Sequence, residues 1–295
     1  MNIDALKVLD AIDKKGSFAS AAESLYRVPS ALTYTIQKLE QELGCSLFER
    51  RGTRAELNAV GRLVLTQGRE ILAATERLQD AVKQLETGWE TQISLALDTI
   101  LPEEPLLQVI HEFTRLGKQV TINISKEALG GGWDALYSHR ADIAIGVSGE
   151  LPRGQYDVYE LGNVEFVFAV ACDHPLAQYD MPIPVDALLQ YPSVIVADSS
   201  QALLQRSSGI FASRQQIRLS SMSDKIRLQQ QGTGVGFLPK HLIRQQLVQG
   251  SLVIKAVELP RPMQTIYMAC RKGETGRAHQ WFIEQLKSQL WFGNN

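Results

Sequence analysis

Cysteine is scarce. Three residues in 295, Cys45, Cys172 and Cys270, lie far apart, odd in number and without a CxxC spacing. Such a set suits reduced thiols and supplies neither a disulfide framework nor a zinc site. Long apolar runs are missing as well: nothing approaches the ~18 consecutive apolar residues that span a bilayer. Met1-Asn2-Ile3-Asp4 has neither the basic nor the apolar region of a secretory signal. A cytoplasmic protein that makes no use of a membrane is expected. One-sided charge is also absent, with 30 basic against 32 acidic residues and a net charge of −2. The chain as a whole does not advertise nucleic acid. A DNA-binding protein needs only a local basic surface, however, and Arg50, Arg51 and Arg54 put three cations in five residues, with Arg62 and Arg69 downstream.

The usual marks of catalysis are lacking too. His111, His139, His174, His241 and His279 are scattered with no HxxxH or HExxH spacing, and no GxSxG elbow occurs. Gly232-Thr233-Gly234-Val235-Gly236 is neither GxGxxG nor GxxxxGK[ST], and it precedes a strand pattern instead of opening a helix after one. No catalytic residue, metal ligand or cofactor is expected. An enzyme is the alternative class, and turnover of a candidate metabolite would discriminate it.

What is present falls into two styles of patterning, consistent with two or three compact units in a chain of this length. Residues 1–88 carry helical apolar spacing: Leu6, Leu9 and Ile12, then Ala21, Ala22 and Leu25, then Leu32, Ile36, Leu39 and Leu43, punctuated at Gly16, Val28-Pro29 and Gly44. From residue 92, short strand patterns (92–97, 119–125, 142–147, 164–171, 193–197, 235–238, 252–257, 265–270) alternate with helical ones (103–116, 132–138, 225–231, 240–249). That alternation predicts an α/β domain with largely parallel strands.

Residues 17–43 predict two short helices joined at Tyr26-Arg27-Val28. Ser17 is placed to cap the first, and Pro29 suits the first turn of the second. The second helix separates into faces: Leu32, Ile36, Leu39 and Leu43 inward; Ser30, Thr33, Tyr34, Gln37 and Lys38 outward. Hydroxyls, an amide, a phenol and an ammonium are suited to base edges and phosphates of a major groove, although a polar helix face is more often only solvated. What favours contact is the Ala-rich partner helix and the arginine cluster after Leu47-Phe48. A hairpin at Gly52 would project Arg50, Arg51 and Arg54 toward phosphates or the minor groove.

The stretches Ser17-Phe18-Ala19-Ser20-Ala21-Ala22, Pro29-Ser30-Ala31-Leu32-Thr33, Ile36-Gln37-Lys38-Leu39-Glu40, Leu43-Gly44 and Leu47-Phe48-Glu49-Arg50 resemble, in order and without gaps, the winged helix-turn-helix of LysR-type transcriptional regulators. Carried over, the family's DNA-contacting positions fall on Ser30, Thr33, Tyr34, Lys38, Arg50 and Arg54. The chain departs from the family at Pro29 and Thr35, where glutamines are common. The resemblance implies a sequence-specific regulator of double-stranded DNA, with RNA polymerase as a further partner. Residues 1–58 would form the DNA-binding domain.

Residues 59–88 read as one long linker helix with Val64, Ile71, Leu78 and Leu85 at a spacing of seven, a coiled-coil seam. Two-fold pairing also matches palindromic half-sites. LysR-type regulators use this helix so and assemble as homodimers or homotetramers. In the C-terminal part, Arg140-Ala141-Asp142-Ile143-Ala144-Ile145-Gly146, Asp173-His174-Pro175-Leu176 and Gly232-x-Gly234-Val235-Gly236-x-Leu238-Pro239 are similar to recurring stretches of the family's effector domain. The implied fold is α/β after an all-α N-terminal part: a two-lobed, periplasmic-binding-protein-like effector domain at 91–295. Its lobe one would be 91–161 plus 265–295 and its lobe two 163–260, with a small molecule between them. Ligands of open α/β sheets bind beyond the carboxyl ends of strands. That rule selects Thr99, Ile100, Ala128, Trp133, Val147 and Ser199, with Thr233 from the facing lobe. Trp133 suits an aromatic effector and a helix start near Gly130 a carboxylate-bearing one, although a core indole and a flexible loop are the plainer readings. The alternatives within DNA-binding proteins are a ligand-independent repressor and an architectural protein with a vestigial pocket.

Overall fold

The computed structural model describes residues 2–51, 54–149, 154–179, 182–207, 213, 215–274 and 276–292. The chain divides into two compact units, Met1–Lys83 and Gln84–Asn295. No helix among the described residues is long and apolar enough to cross a membrane.

The first unit is built from locally encoded helices. Helix α1 (Ile3–Lys15) starts where Asn2 Oδ1 accepts from Ala5 N at 2.7 Å. Helix α2 (Phe18–Ser24) starts where Ser17 Oγ accepts from Ser20 N at 3.1 Å; both satisfy a donor that a helix start leaves orphaned. Helix α3 (Pro29–Leu43) has no side-chain cap and relies on Pro29, whose missing N–H is no loss in the first turn. Val8, Leu9, Ile12, Ala21, Ala22, Leu32, Ile36, Leu39 and Leu47 close one core. Leu43 leaves the expected inward stripe and is 39% exposed, because the last turn of α3 runs past that core to the left-handed Gly44. Strands β1 (Phe48–Arg51) and β2 (Arg54–Leu57) pair antiparallel, and helix α4 (Ala59–Thr87) follows, with Asn58 Oδ1 accepting from Gly61 N at 2.8 Å.

In the second unit, β3 (Gln92–Asp98), α5 (Glu104–Thr114), β4 (Thr121–Glu127), α6 (Gly131–Tyr137), β5 (Ile143–Val147) and β6 (Tyr156–Val164) come first. Then follow β7 (Phe166–Ala171), α7 (Val185–Leu188), β8 (Ser193–Val196), β9 (Gln216–Leu219), α8 (Met222–Gln230) and β10 (Gly236–Pro239). Helix α9 (Arg244–Val248), β11 (Leu252–Ile254), β12 (Gln264–Arg271) and α10 (Arg277–Lys287) complete the chain. One sheet has the order β4-β3-β5-β12-β6. Alternate residues of β3 feed its two faces: Ile93, Leu95 and Leu97 pack with Val109, Phe113 and Phe282 of α5 and α10, while Ala96 packs with Trp133 and Leu136 of α6. The second sheet has the order β10-β7-β11, and the parallel pair β8-β9 joins it through a bridge between Ser193 and Val235. Its central strand Phe166–Ala171 is buried throughout.

The expectation of largely parallel strands is corrected. β3 runs parallel to β4 and β5, but β12 is antiparallel to both β5 and β6, and β10 and β11 are antiparallel to β7. Two strands were also missed. β6 lies within what reads as a loop before residue 164, and β9 is too short and polar to show alternation. The chain passes from the first sheet to the second at Val164–Phe166 and returns before Gln264.

Candidate functional site

The outward face of α3 is formed as the spacing predicts. Ser30, Thr33, Tyr34, Gln37 and Lys38 are all exposed, Tyr34 by 68%, while Leu32, Ile36 and Leu39 are buried one turn apart on the other side. Thr33 Oγ1 donates to Pro29 O at 3.0 Å, which leaves the hydroxyl oxygen as an acceptor toward a ligand. The turn before α3 is held from behind: Arg27 makes two 2.8 Å hydrogen bonds to the Asp4 carboxylate, and Tyr26 takes a left-handed φ of 54°. β1 and β2 place Arg50 opposite Ala55 and Arg51 opposite Arg54; the side chains of Arg50, Arg51 and Arg54, like Gly52 and Thr53, lie outside the described residues. Arg69 is not part of the basic surface suggested by sequence. It is paired with Asp10 at 2.7 Å and Asp13 at 2.8 Å, tying α4 to α1. Arg62 donates to Leu57 O at 2.6 Å.

Along α4 the seam divides. Val64 packs against the first unit's own core. Ile71 and Leu78 are 40% and 67% exposed, with Val82 beyond them; the Leu85 side chain lies outside the described residues. Three large apolar side chains at helical spacing on one solvent-facing stripe leave apolar area in water, which association would remove.

The second unit brings three of the seven predicted cleft residues, Thr99, Ile100 and Ala128, to one cavity. A cavity of about 30 Å³ is lined by Thr99, Ile100 and Ala128 from the first sheet's loops and by Val196, Met222 and Lys225 from the second, with Phe166, Arg261 and Gln264 at the passages between sheets. A larger cavity of about 480 Å³ shares Thr99 and continues along α5 and α8. Thr99 Oγ1 is buried and has no hydrogen-bond partner among the described residues. An orphaned buried hydroxyl is uncommon in a protein of ordinary stability, so this atom marks a place where a polar group from outside would be accommodated.

Ser199 is different. Its Oγ donates to Glu127 Oε2 and accepts from Ala128 N at 3.0 Å, so it acts as a clasp between the sheets. Neighbouring groups extend that clasp: Gly130 N donates to Asp198 at 3.0 Å, Ala202 N and Leu203 N to Asp134 at 2.7 and 2.6 Å, and Arg206 to Ser148 O at 2.7 Å. Gly131 is required here, since a Cβ would stand 1.8 Å from Ser199 Oγ. Arg140 bridges Glu127 and Asp134 at 2.7 and 2.9 Å. Burial opposes ionisation of Asp134, but the Leu203 N–H and the Arg140 guanidinium outweigh it and hold the carboxyl below the usual range. Asp98 has the opposite fate. Burial pushes its pKa up to about 7, with Glu127 and Asp198 adding to the rise, even though Ile100 N and Leu129 N donate to it.

Three predicted cleft residues are placed elsewhere. Trp133 is turned into the core with Ala96 and Leu136; its Nε1 donates to Ser148 O at 3.2 Å and its ring meets Tyr156 edge-on. Packing, not stacking on a ligand, accounts for it. Val147 belongs to the same apolar cluster. Thr233 lies at the wrong end of its sheet: Gly234 abuts Pro192 and Val194 at the start of β8, whereas Val196 at its carboxyl end lines the cleft. β10 leaves this loop antiparallel to β7 and reaches the cleft only at Pro239, opposite Phe166. Asp98, Lys225 and Arg261 were missed, and no local motif marks them.

Two family models match. One described as LysR substrate binding domain covers residues 86–291, and one described as bacterial regulatory helix-turn-helix protein, lysR family, covers residues 3–62. The uncharacterized HTH-type transcriptional regulator YeeY of Escherichia coli K12 is 33% identical over 285 residues, 96% of this chain and 92% of YeeY. Full-length CbnR complexed with its target DNA is 17% identical with a TM-score of 0.62, over 97% of this chain and 99% of that one. LysG of Corynebacterium glutamicum with bound effector Arg is 18% identical with a TM-score of 0.54, over 97% of each chain. At that identity the two structures speak for the fold. With both halves matched in order and a relative above 30% along nearly the whole length, the chain belongs to the LysR family of DNA-binding transcriptional regulators, a helix-turn-helix followed by an effector-binding domain.

Proposed function

We propose that this regulator, working in the cytoplasm, reads double-stranded operator DNA through Ser30, Thr33, Tyr34, Gln37 and Lys38, flanked by Arg50, Arg51 and Arg54. It does so as a homodimer, or a pair of dimers, joined along Ile71 and Leu78 of α4, and hands the outcome to RNA polymerase. A small molecule bound between the two sheets of residues 91–295, in a first lobe of 91–161 plus 265–295 and a second of 163–260, sets the response without chemistry. The observation that carries the sensor reading is the buried, unpartnered Thr99 Oγ1 at the wall shared by both cavities. Proteins of similar fold agree in kind, CbnR being complexed with its target DNA and LysG with its effector Arg.

A ligand can shift the regulator's state only by its differential affinity for two arrangements, and the Ser199–Glu127 clasp is the contact that entry of a ligand would have to loosen. Footprinting of the adjacent intergenic DNA with and without the small-molecule fraction of a cell extract tests the reading. The expected result is an operator footprint that the fraction alters. Thr99→Val removes the hydroxyl at nearly constant volume and should raise the amount of fraction needed about 2- to 12-fold, for a lost hydrogen bond of ~0.5–1.5 kcal/mol. A footprint indifferent to every fraction would leave a ligand-independent repressor.

A further inference from the structure

Lys225 sits on α8 between the buried Met222 and Ile226 and is itself only 5% exposed. Its ammonium makes no hydrogen bond or ion pair among the described residues, and Gln229 Oε1, one turn along, is buried there without a donor. Arg261 lies half-buried at the second passage between the sheets. Its guanidinium carbon stands 4.7 Å from the centre of the Phe166 ring, and no carboxylate among the described residues pairs with it. Both cations line the 30 Å³ cavity with Thr99 and Ser148. Asp98 lines it too, but its carboxyl accepts from Ile100 N at 2.9 Å and from Leu129 N, and does not pair with either cation.

A buried cation without a counterion is costly, and two in one cavity also repel each other. Folded chains normally place a carboxylate beside such a group. Burial, aided by Arg261, lowers the pKa of Lys225 to about 7, as expected of an ammonium largely withdrawn from bulk water beside a second cation. The cavity therefore offers a place for one negative charge: Lys225 and Arg261 face it, and its one lining carboxyl, Asp98, is held by backbone N–H groups instead of by either cation.

We propose that Lys225 and Arg261 form the anion subsite of the effector cleft, and that the effector presents one carboxylate to them while Thr99 Oγ1 supplies a further hydrogen bond. This rests on the sensor reading above and adds the chemical class of the ligand. A monocarboxylate fits better than a phosphate ester, because the cavity is small and a dianion would crowd the Asp98 carboxyl at its wall.

The test uses the full-length protein with ¹³C-labelled lysine, the Lys225 signal being assigned by its loss in Lys225→Met. Its titration is followed in buffer free of carboxylate and phosphate, then with sodium acetate, acetamide or inorganic phosphate. Acetate is expected to raise the Lys225 midpoint by at least about one unit, a tenfold change in proton affinity, and acetamide to leave it in place. Arg261→Met should remove the effect of acetate. An unmoved midpoint overturns the subsite, and a larger rise with phosphate than with acetate overturns the carboxylate assignment. Thermal unfolding gives an independent arm: Lys225→Met should melt above the parent chain, since it deletes an uncompensated buried charge, and should lose the acetate-induced rise in Tm. A lower Tm for Lys225→Met would mean that the ammonium has a stabilising partner, and would sink the proposal. A neutral metabolite that binds through Thr99 would sink the anion assignment while leaving the sensor reading intact. Acetate binding at Lys225 in a chain whose operator footprint answers to no small molecule would uphold the subsite and remove the sensor reading.

Discussion

Replacing Ser199 by alanine removes both hydrogen bonds of the clasp in one step. The Glu127 carboxylate, 4% exposed, loses the donor on Oε2 but keeps Arg140 on Oε1, and Ala128 N loses its acceptor. A hydrogen bond to a charged group contributes ~1.5–3 kcal/mol and an orphaned amide costs ~1–3 kcal/mol when fully buried. Ser199 itself is only half-buried, so water can replace part of what is lost, and the lower end, about 2 kcal/mol, is expected. For a unit of this size each kcal/mol lowers Tm by about 2–4 °C, which gives a fall of about 4–8 °C in the transition of the second unit. Operator binding by the first unit should persist at temperatures where both units are folded. The decisive measurement is a double-mutant cycle with Glu127→Gln, read by denaturant unfolding. If the clasp exists, the two substitutions couple by ~1 kcal/mol or more. Additivity of Ser199→Ala and Glu127→Gln would refute the clasp, and with it the idea that ligand entry must loosen this contact.

Thr33→Ala and Tyr34→Ala should weaken specific operator binding by ~1–3 kcal/mol each while nonspecific binding changes less; equal losses on operator and random DNA in gel-shift titrations would assign them to phosphates instead. Arg50→Ala and Arg54→Ala should weaken both kinds of binding and flatten the salt dependence by about one phosphate contact each. Ile71→Glu with Leu78→Glu should dissociate the dimer, since each introduces like charges across a two-fold seam, and sedimentation showing an intact dimer would place the interface elsewhere. Asp98→Asn addresses pH. Because the folded-state pKa of Asp98 is raised from its ordinary 3.8 to about 7, its contribution to stability is complete below 3.8 and is lost as pH rises through 7. The parent chain should lose stability relative to Asp98→Asn over that window, and parallel stability profiles would show that Asp98 is ionised throughout.

The helix-turn-helix was legible in the sequence because everything that specifies it is local. Ser17 caps, Pro29 starts, Gly44 ends, and the 3.6-residue period separates Leu32, Ile36 and Leu39 from Ser30, Thr33, Tyr34 and Lys38 on the same helix. The family resemblance was legible for a similar reason, as runs of neighbouring residues. Tertiary structure alone decided what depends on pairing across long separations. Strand β12 runs antiparallel because it returns from the second sheet, and nothing within residues 264–271 states its direction. Thr233 fell at the end of its sheet away from the cleft because β10 pairs antiparallel with β7. Arg69 looked like part of a basic surface until α1 brought Asp10 and Asp13 to it from more than fifty residues away. Ser199 looked like a ligand anchor until β4 delivered Glu127. Asp98, Lys225 and Arg261 have unremarkable sequence neighbours. Their meaning comes from being drawn out of water into one cavity, where the low dielectric makes the absence of a counterion expensive, and burial of that kind is a property of the packed sheets, not of any segment of the chain.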